Sequence, residues 1–290
     1  MIRCLLTLII LGMTFSINAQ THTIRVIMIG AHPDDCDEDG GGTAALFAKM
    51  GHAVEFVSVT NGDAGHQSQG GGALAKRRTA EAKEAGRRFG VTYVVLDNHD
   101  GELVPSLDVR LQIIREIRKW QADVVIGPRP NDYHPDHRYT GMLVQDAAYM
   151  VGVPNVAPDV PPLKKNPVFL YYQDHFKKPN PFTPDIAIDI SSVYDQKVYA
   201  LAAHESQMFE WLPWIGGYSS EVPTSEKERL AWLAKRSIKP ITPAVRSSLI
   251  KWYGKEKGTA VKYAESFEIC EYGNQPSDDE IRQLFPMLKN

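Results

Sequence analysis

Short apolar runs alternate with longer amphipathic segments over the first half of the chain, and this order limits the choice of fold more than any other feature. The helix predicted at 107–120, LDVRLQIIREIRKW, repeats its apolar residues at helical spacing. Strands alternating with helices in this way predict an α/β fold with a mostly parallel sheet and helices on both faces. Strands are predicted at 24–29, 54–59, 93–96 and 124–126, and helices at 43–50, 74–89, 107–120 and 141–150.

Unusual polar residues follow each of these four strands. The segments are AHPDDCDEDGGG at 31–42, TNGD at 60–63, DNHDG at 97–101 and RPNDYHPDH at 129–137. The carboxyl ends of parallel strands meet at one edge of a sheet, where open α/β folds bind their ligands. The four segments are therefore expected to lie together and to form a site.

The acid-rich turn after the first strand is open to three interpretations: a solvated loop, a nucleotide-binding turn or a metal site. A nucleotide turn is disfavoured because G-x-G-x-x-G is absent and carboxylates would repel a pyrophosphate. His134 and His137, three residues apart, share a face if HPDH begins a helix. With His32 and Asp35 they bring imidazoles and a carboxylate together, which suits a zinc hydrolase with one position open for water.

An ordered set of motifs resembles the PIG-L/LmbE-like family of zinc-dependent N-deacetylases. The motifs are AHPDD, GGT, TNGDAG, KRRTAEAKEAG, DG, HPDH and KVYALAAHESQ, spread over about residues 24–207. The resemblance implies a Rossmann-like sheet and removal of N-acetyl groups, mostly from N-acetylglucosamine-containing compounds. It implies zinc as the cofactor, with Fe²⁺ as the alternative metal.

The same resemblance implies roles for individual residues. The metal ligands are His32, Asp35 and His137. Asp34 is the general base on the metal-activated water, and His134 is the acid or electrostatic partner, oriented by Asp136. The expected substrate-binding residues are Arg78, Asp100 and His204.

The chain departs from the family pattern directly after the two aspartates. Cys36 stands where the family usually has glutamate, and CDED is more acidic than the usual EELG. Adjacent side chains rarely bind one ion together, so Cys36 is interpreted as a packing residue.

Other histidines and aromatic residues have ordinary interpretations. His66 and His99 lie in the loops of the expected site edge, where a surface position is the more common one. The tryptophans of FEWLPWIGGY, Trp211 and Trp214, are more typical of a core than of stacking on a sugar ring.

The chain is expected to comprise a signal peptide at 1–19, a deacetylase domain at 20–209 and a C-terminal extension at 210–290 packed on that domain. Arg3, an apolar stretch at 4–15 and Ala19 are typical of a secretory signal peptide, so a periplasmic or secreted protein is expected. The alternative is a buried N-terminal strand or helix. No later stretch is apolar enough to serve as a stable membrane anchor.

The composition of the chain restricts the classes of molecule that it can bind. The 290 residues carry a net charge of −3 without a basic stripe, which argues against a nucleic-acid partner. After cleavage at residue 19 only Cys36 and Cys270 remain, and two cysteines without a CxxC motif predict neither a disulfide scaffold nor a thiolate zinc site. A small-molecule or glycan substrate is expected, and a homo-oligomer stays open.

The predicted function is removal of an N-acetyl group from an N-acetylglucosamine-type sugar or glycoconjugate. Two alternatives stay open at this point: a metal-dependent hydrolase of another amide or ester bond, and a carbohydrate-binding protein without catalysis.

Overall fold

A seven-stranded sheet forms the centre of the protein in the computed structural model, which describes residues 22–288. The strand order is β3-β2-β1-β4-β5-β7-β6, and the ladders from β3 to β5 are parallel. The strands are β1 (Arg25–Gly30), β2 (Ala53–Thr60), β3 (Thr92–Asn98), β4 (Val124–Gly127), β5 (Val168–Tyr172), β6 (Ile186–Asp189) and β7 (Ala264–Gly273). The predicted signal peptide, residues 1–19, lies outside the described residues.

Helices cover both faces of this sheet, which confirms the predicted α/β class. One core cluster contains Phe47 and Phe89, a second contains Ile113 and Leu143, and a third contains Leu249. The helices are α1 (Asp35–Lys49), α2 (Gly71–Phe89), α3 (Leu107–Trp120), α4 (Pro135–Met150), α5 (Tyr194–Leu201), α6 (Leu212–Ile215), α7 (Glu226–Arg236), α8 (Pro243–Tyr253), α9 (Lys255–Ala260) and α10 (Asp278–Leu284), with a π-helical segment at Ser206–Trp211. No helix within residues 22–288 is long and apolar enough to cross a membrane.

The strand order reverses next to β1. The chain runs from β1 outward through β2 and β3, and then returns to place β4 on the other side of β1. The loops that follow β1 and β4 are therefore neighbours at the carboxyl edge, the position where open α/β sheets bind ligands. Helices α1 and α4 both begin there.

Helix α1 begins at Asp35, although the sequence predicts its start at residue 43. Acidic residues are favourable in the first turn because they face the positive end of the helix dipole. The glycine run allows close packing, since a Cβ would lie 2.7 Å from Met28 Sδ at Gly40 and 2.6 Å from Phe89 Cζ at Gly41. The acids and glycines of this segment are typical of a loop in the sequence, but in the structure they belong to a helix that packs closely on the sheet.

A fully buried ion pair joins α1 to β7. Glu265 accepts hydrogen bonds from the backbone N–H groups of Gly42 at 2.9 Å and Thr43 at 2.7 Å. The ammonium of Lys197 donates to Glu265 Oε1 and to the carbonyl of Glu38, both at 2.6 Å. Side chains from α5 and β7 thus hold the backbone of α1 at its second turn.

The C-terminal segment contributes directly to the central sheet. Residues 210–290 are predicted as an extension packed on the domain, but β7 lies between β5 and β6 and pairs with both in antiparallel register. No fold boundary therefore separates residue 209 from residue 210. Cys36 and Cys270 are both buried and free, and Cys36 Sγ lies 3.3 Å from the carbonyl oxygen of Met28.

Candidate active site

The loop after β1 places two carboxylates differently. Asp35 Oδ2 accepts hydrogen bonds from the N–H groups of Ala31 at 2.8 Å and His32 at 2.9 Å. Asp34 has a φ of 153°, which is rare for a residue other than glycine, and its Oδ1 accepts from Arg78 Nη2 at 3.1 Å. Such strain persists only where the surroundings hold it, and it is common at functional sites.

The start of α4 supplies the histidines. His134 is the N-cap, and its Nδ1 accepts a hydrogen bond from the N–H of Asp136 at 3.2 Å. Pro135 occupies the first turn, where its missing N–H costs nothing. Helix α4 therefore begins at Pro135 within the HPDH motif, ahead of the predicted start at residue 141, at the edge that also carries His32.

Three donor atoms converge between the two loops. His32 Nδ1 lies 3.2 Å from His137 Nε2, and Asp35 Oδ2 lies 3.7 Å from the former atom and 3.6 Å from the latter. Ligands about 2.0–2.1 Å from a tetrahedral zinc ion are roughly 3.3 Å apart. The three atoms are thus spaced as ligands of one ion.

Carboxylates hold the outer nitrogens of both histidines. His32 Nε2 lies 3.1 Å from Asp100 Oδ1 and 3.3 Å from Asp136 Oδ2, and His137 Nδ1 lies 3.2 Å from Asp132 Oδ1. These acceptors fix the outer nitrogens as donors and turn the inner nitrogens toward each other. A divalent cation would take the place of the proton between the inner nitrogens, and the donor set therefore fits a metal.

The electrostatics of the cluster are strongly perturbed. Burial lowers the pKa of His32, but hydrogen bonds to Asp100 and Asp136 outweigh burial and raise this pKa to about 10. Burial alone would raise the pKa of Asp100, yet His32 and Arg78 lower it to about 2. Burial raises the pKa of Asp34 to about 7 against the opposing charge of Arg78. Perturbed groups of this kind cluster at functional sites.

Asp136 does not orient His134 in the expected way. Its carboxylate lies against His32 and accepts a hydrogen bond from the N–H of Gly101 at 2.7 Å. Only the backbone N–H of Asp136 reaches His134. The side chain of Asp136 therefore orients His32, because it points from the first turn of α4 toward the β1 loop.

The three residues expected to bind substrate are buried, with exposed fractions of 2% for Arg78, 8% for Asp100 and 0% for His204. The Arg78 guanidinium also donates to the carbonyls of Pro33 and Gly62, each at 3.3 Å. His204 lies between α5 and the π-helical segment, and its Nε2 is 3.0 Å from Asp37 Oδ1. Arg78 and Asp100 therefore contact the site residues Asp34 and His32, whereas His204 contacts Asp37 of α1.

The remaining candidates lie elsewhere. His66 is buried and bonds to Glu210 at 2.8 Å, whereas His99 is an exposed partner of Asp63 at 2.6 Å. Trp211 and Trp214 stack with ring centroids 5.5 Å apart, and Trp214 is 52% exposed. Trp214 is therefore a surface residue and not the core residue that the sequence favours.

A cleft of about 560 Å³ opens beside Asp35 and His137. Its walls include Tyr133, residues from 173–184 and residues from 239–245. Arg129 holds the first of these segments through a two-pronged contact with Asp174 at 2.6 Å. Asp132 lies within the RPNDYHPDH segment but is not among the predicted site residues, and the cleft wall has no local signal in the sequence.

The fold and the cluster define a class of protein: a doubly wound α/β domain with a candidate metal centre where the strand order reverses. Residues 27–148 match the family described as PIG-L, GlcNAc-PI de-N-acetylase. The diacetylchitobiose deacetylase of Thermococcus kodakarensis is 34% identical over 218 residues, which cover 69% of this chain and 79% of that protein. The chain belongs to the PIG-L family, as the motif order predicts.

Two further proteins are similar to this chain. The solved structure of N,N'-diacetylchitobiose deacetylase from Pyrococcus horikoshii aligns with a TM-score of 0.62 at 27% identity, covering 84% of this chain and 83% of that one. The 4-oxalmesaconate hydratase of Pseudomonas putida is 25% identical over 202 residues, covering 67% of this chain and 78% of that protein.

Proposed function

We propose that this protein hydrolyses the N-acetyl amide of an N-acetylglucosamine-type sugar or glycoconjugate with the help of one divalent metal ion. The observation that carries the proposal is the convergence of His32 Nδ1, Asp35 Oδ2 and His137 Nε2 within 3.2–3.7 Å of one another. The diacetylchitobiose deacetylase relatives support an amino-sugar substrate.

Zinc is the proposed metal, with Fe²⁺ as the alternative, and His32, Asp35 and His137 would hold it. Two imidazoles and one carboxylate are a common ligand set for catalytic zinc, which keeps a further position open. When bound, such an ion lowers the pKa of water and polarises a carbonyl oxygen.

Asp34 is the proposed general base. Its pKa of about 7 suits proton transfer near neutral pH, because a base works best when its pKa lies near the operating pH. Arg78 holds Oδ1 at 3.1 Å and fixes the direction of the carboxylate. Asp34 accepts a proton from the attacking water and delivers it to the departing amine.

His134 is the proposed donor to the developing oxyanion. Its Nδ1 accepts from the backbone of Asp136, which leaves the proton on Nε2. Burial, together with the neighbouring His32 and His137, lowers the pKa of His134, so the ring is neutral at pH 7. A neutral imidazole N–H stabilises an oxyanion without first having to gain a proton.

Acetate release tests the reaction. The protein from residue 20 onward is stripped with a chelator, reloaded with Zn²⁺ or Fe²⁺, and incubated with N-acetylglucosamine and N,N'-diacetylchitobiose. We expect acetate and free amine in equal amounts only after reloading, with one ion per chain. Sugar binding without acetate would favour the non-catalytic alternative, and cleavage of an aryl ester alone would favour the other hydrolase.

A reaction without any amine product would instead point to water addition, the reaction class named for the Pseudomonas putida relative. Incubation with an unsaturated dicarboxylate, followed by loss of its ultraviolet absorbance, distinguishes this outcome from amide hydrolysis.

We further propose that the protein is exported after removal of residues 1–19, on the strength of the charged, apolar and small-residue pattern there. The test is N-terminal sequencing of the protein recovered from the periplasm and the medium. We expect a chain that begins at Gln20, and an intact Met1 on protein from the cytoplasm would contradict the proposal.

A further inference from the structure

We propose that the cleft beside the metal ligands is a subsite for the sugar ring next to the acetylated one, and that Lys239 with Asp39 selects substrates of two or more rings. This inference rests on the proposed function, because it concerns the remainder of the same substrate. We call this part of the cleft the outer subsite, and define it by Glu38, Asp39, Phe176, Phe182 and Lys239.

The outer subsite is continuous with the candidate metal centre. Asp35 and His137, two of the three candidate ligands, line the same cavity as Phe182 and Lys239. The cavity measures about 560 Å³, and pockets of about 300–1,000 Å³ accommodate drug-sized ligands. A single amino sugar presented to the metal would leave much of this space to the rest of the substrate.

The outer subsite has an apolar wall and a charged wall, and the two together suit a pyranose ring. Phe176, Phe182 and neighbouring prolines supply apolar surface, and Glu38, Asp39 and Lys239 supply charge in the same cavity. A sugar ring has an apolar face and a rim of hydroxyl groups, so it can use both walls. An acyl chain would have to desolvate the charged groups without satisfying them, which costs free energy.

Lys239 and Asp39 are far apart in the sequence and form an ion pair in the fold. The ammonium of Lys239, in the segment between α7 and α8, donates to Asp39 Oδ1 on α1. An ammonium has three N–H donors, so the bond to Asp39 leaves two for hydroxyl groups. The pair thus forms a polar wall whose two members are already oriented before a ligand arrives.

Part of this wall lies outside the segment that matches the family, and part departs from the family's usual motif. Glu38 and Asp39 belong to the CDED segment that departs from the family's usual EELG. Lys239 lies beyond residues 27–148, the part that matches the family. Selection of substrate length by these residues is therefore a property that the family match does not supply.

The test compares kcat/KM for N,N'-diacetylchitobiose with kcat/KM for N-acetylglucosamine. In Lys239→Met, which keeps most of the side-chain length, we expect the ratio of the two values to fall about 10- to 100-fold. This is the range expected on loss of a hydrogen bond to a charged group. The matched control is Lys235→Met, an exposed lysine of α7, for which the ratio stays as in the wild type.

The exchange variant Asp39→Lys/Lys239→Asp separates a ligand contact from a structural ion pair. A purely structural pair would be rescued by the exchange, because the charges still meet, and full recovery of the ratio would overturn the proposal. A ratio that stays low while the thermal melting temperature recovers supports it. Equal losses for both substrates in Lys239→Met would also overturn it.

Binding measurements keep this proposal separate from the proposed function. Titration calorimetry of the zinc-loaded protein with each sugar requires no turnover. Tighter binding of the disaccharide, weakened by Lys239→Met, supports the outer subsite even if no acetate is released, in which case the proposed reaction alone fails. Equal affinity of the wild type for both sugars overturns the outer subsite even if both are deacetylated.

Discussion

Asp34 combines a strained backbone with a buried carboxylate. A φ of 153° costs on the order of 1–3 kcal/mol for a residue other than glycine, and burial raises the pKa of the side chain to about 7. Asp35, its neighbour in sequence, turns to the opposite side and accepts two backbone hydrogen bonds. The unusual backbone conformation of Asp34 directs the two adjacent carboxylates to different partners.

Replacement of Asp34 tests its part in the reaction. Asp34→Asn should keep the metal and the fold, because asparagine matches aspartate in size and keeps an oxygen that accepts from Arg78, and should lower kcat by about 10²–10⁴-fold. The effect on KM should be much smaller, since a base acts in the transition state. Metal stoichiometry, melting temperature and kcat are measured on one preparation, and a near-normal kcat would exclude Asp34 as the base.

Asp132 shows what residue patterns do not reveal. The histidines and acids of the candidate centre could be predicted because they occur in short motifs at strand ends. Asp132 contacts His137 Nδ1 at 3.2 Å only because the loop folds back on the first turn of α4, and Asp136 reaches His32 instead of His134 for a similar reason. Such choices depend on side-chain direction, which spacing does not specify.

Asp132→Asn should weaken zinc binding by about 10- to 100-fold, because the carboxylate that orients His137 is lost. Competition with a chromophoric chelator measures the affinity. Asp159→Asn is the control, since Asp159 pairs with Arg115 on the surface at 2.8 Å. Unchanged affinity in Asp132→Asn would show that His137 is either oriented without this contact or is not a ligand.

Glu55 on β2 makes stability depend on pH. Burial and the nearby charge of Glu116 raise its pKa from 4.5 to about 7 in the folded protein. A raised carboxyl pKa favours the protonated form, so this contribution to stability is complete below the unfolded pKa and is lost as pH rises through 7. The loss is at most about 3 kcal/mol, and screening reduces it to about 1–2 kcal/mol.

Glu55→Gln should therefore stabilise the protein by about 1–2 kcal/mol at pH 8 and by little at pH 4. Urea unfolding at both pH values measures the difference. Glu271→Gln, at an exposed position of β7, is the matched control. A gain of equal size at both pH values would attribute the effect to packing instead of charge.

Helices α1 and α3 show when the bounds of a helix can be predicted from the sequence. Helix α3 has the predicted bounds because its apolar residues are periodic and the Ser106 side chain caps it. The sequence places the start of α1 too late, because its three glycines and several acids are typical of a loop. Tertiary contacts, the approach to Met28 and Phe89 and the Lys197–Glu265 pair, make that segment helical.

Removal of Lys197 should destabilise the protein through α1. Lys197→Met leaves the Glu265 carboxylate buried and without its cation, which typically costs about 3–5 kcal/mol. Urea unfolding measures the loss, and Lys255→Met, at an exposed position of α9, serves as control. The double variant Lys197→Met/Glu265→Gln should recover part of the loss. A stable single variant would show that Glu265 is satisfied by the helix backbone alone.

The parallel half of the sheet can be predicted from the sequence, and the other half cannot. Strands β1 to β5 follow local apolar runs, and the helices between them indicate parallel pairing. The position of β7 depends on pairing with β5 and β6, from which it is separated by about seventy residues or more along the chain. Alternation in AVKYAESFEI indicates a strand but does not say where it inserts.

A chain that ends at residue 260 should therefore fail to fold. It lacks β7, so β5 and β6 lose their common neighbour and expose unpaired edges that favour aggregation. Solubility and the cooperativity of thermal unfolding, compared with the chain from residue 20 to residue 290, measure this. A soluble truncated chain with a cooperative transition would contradict the central position of β7.

The position of the cleft wall has an evolutionary consequence. The candidate metal ligands and the base lie between residues 32 and 137, whereas much of the cleft surface comes from 173–184 and 239–245. Substitutions in those later segments can change which molecule the cleft binds, while the candidate ligands and the proposed base stay the same. After gene duplication, specificity can therefore diverge through these two segments while the reacting groups are retained.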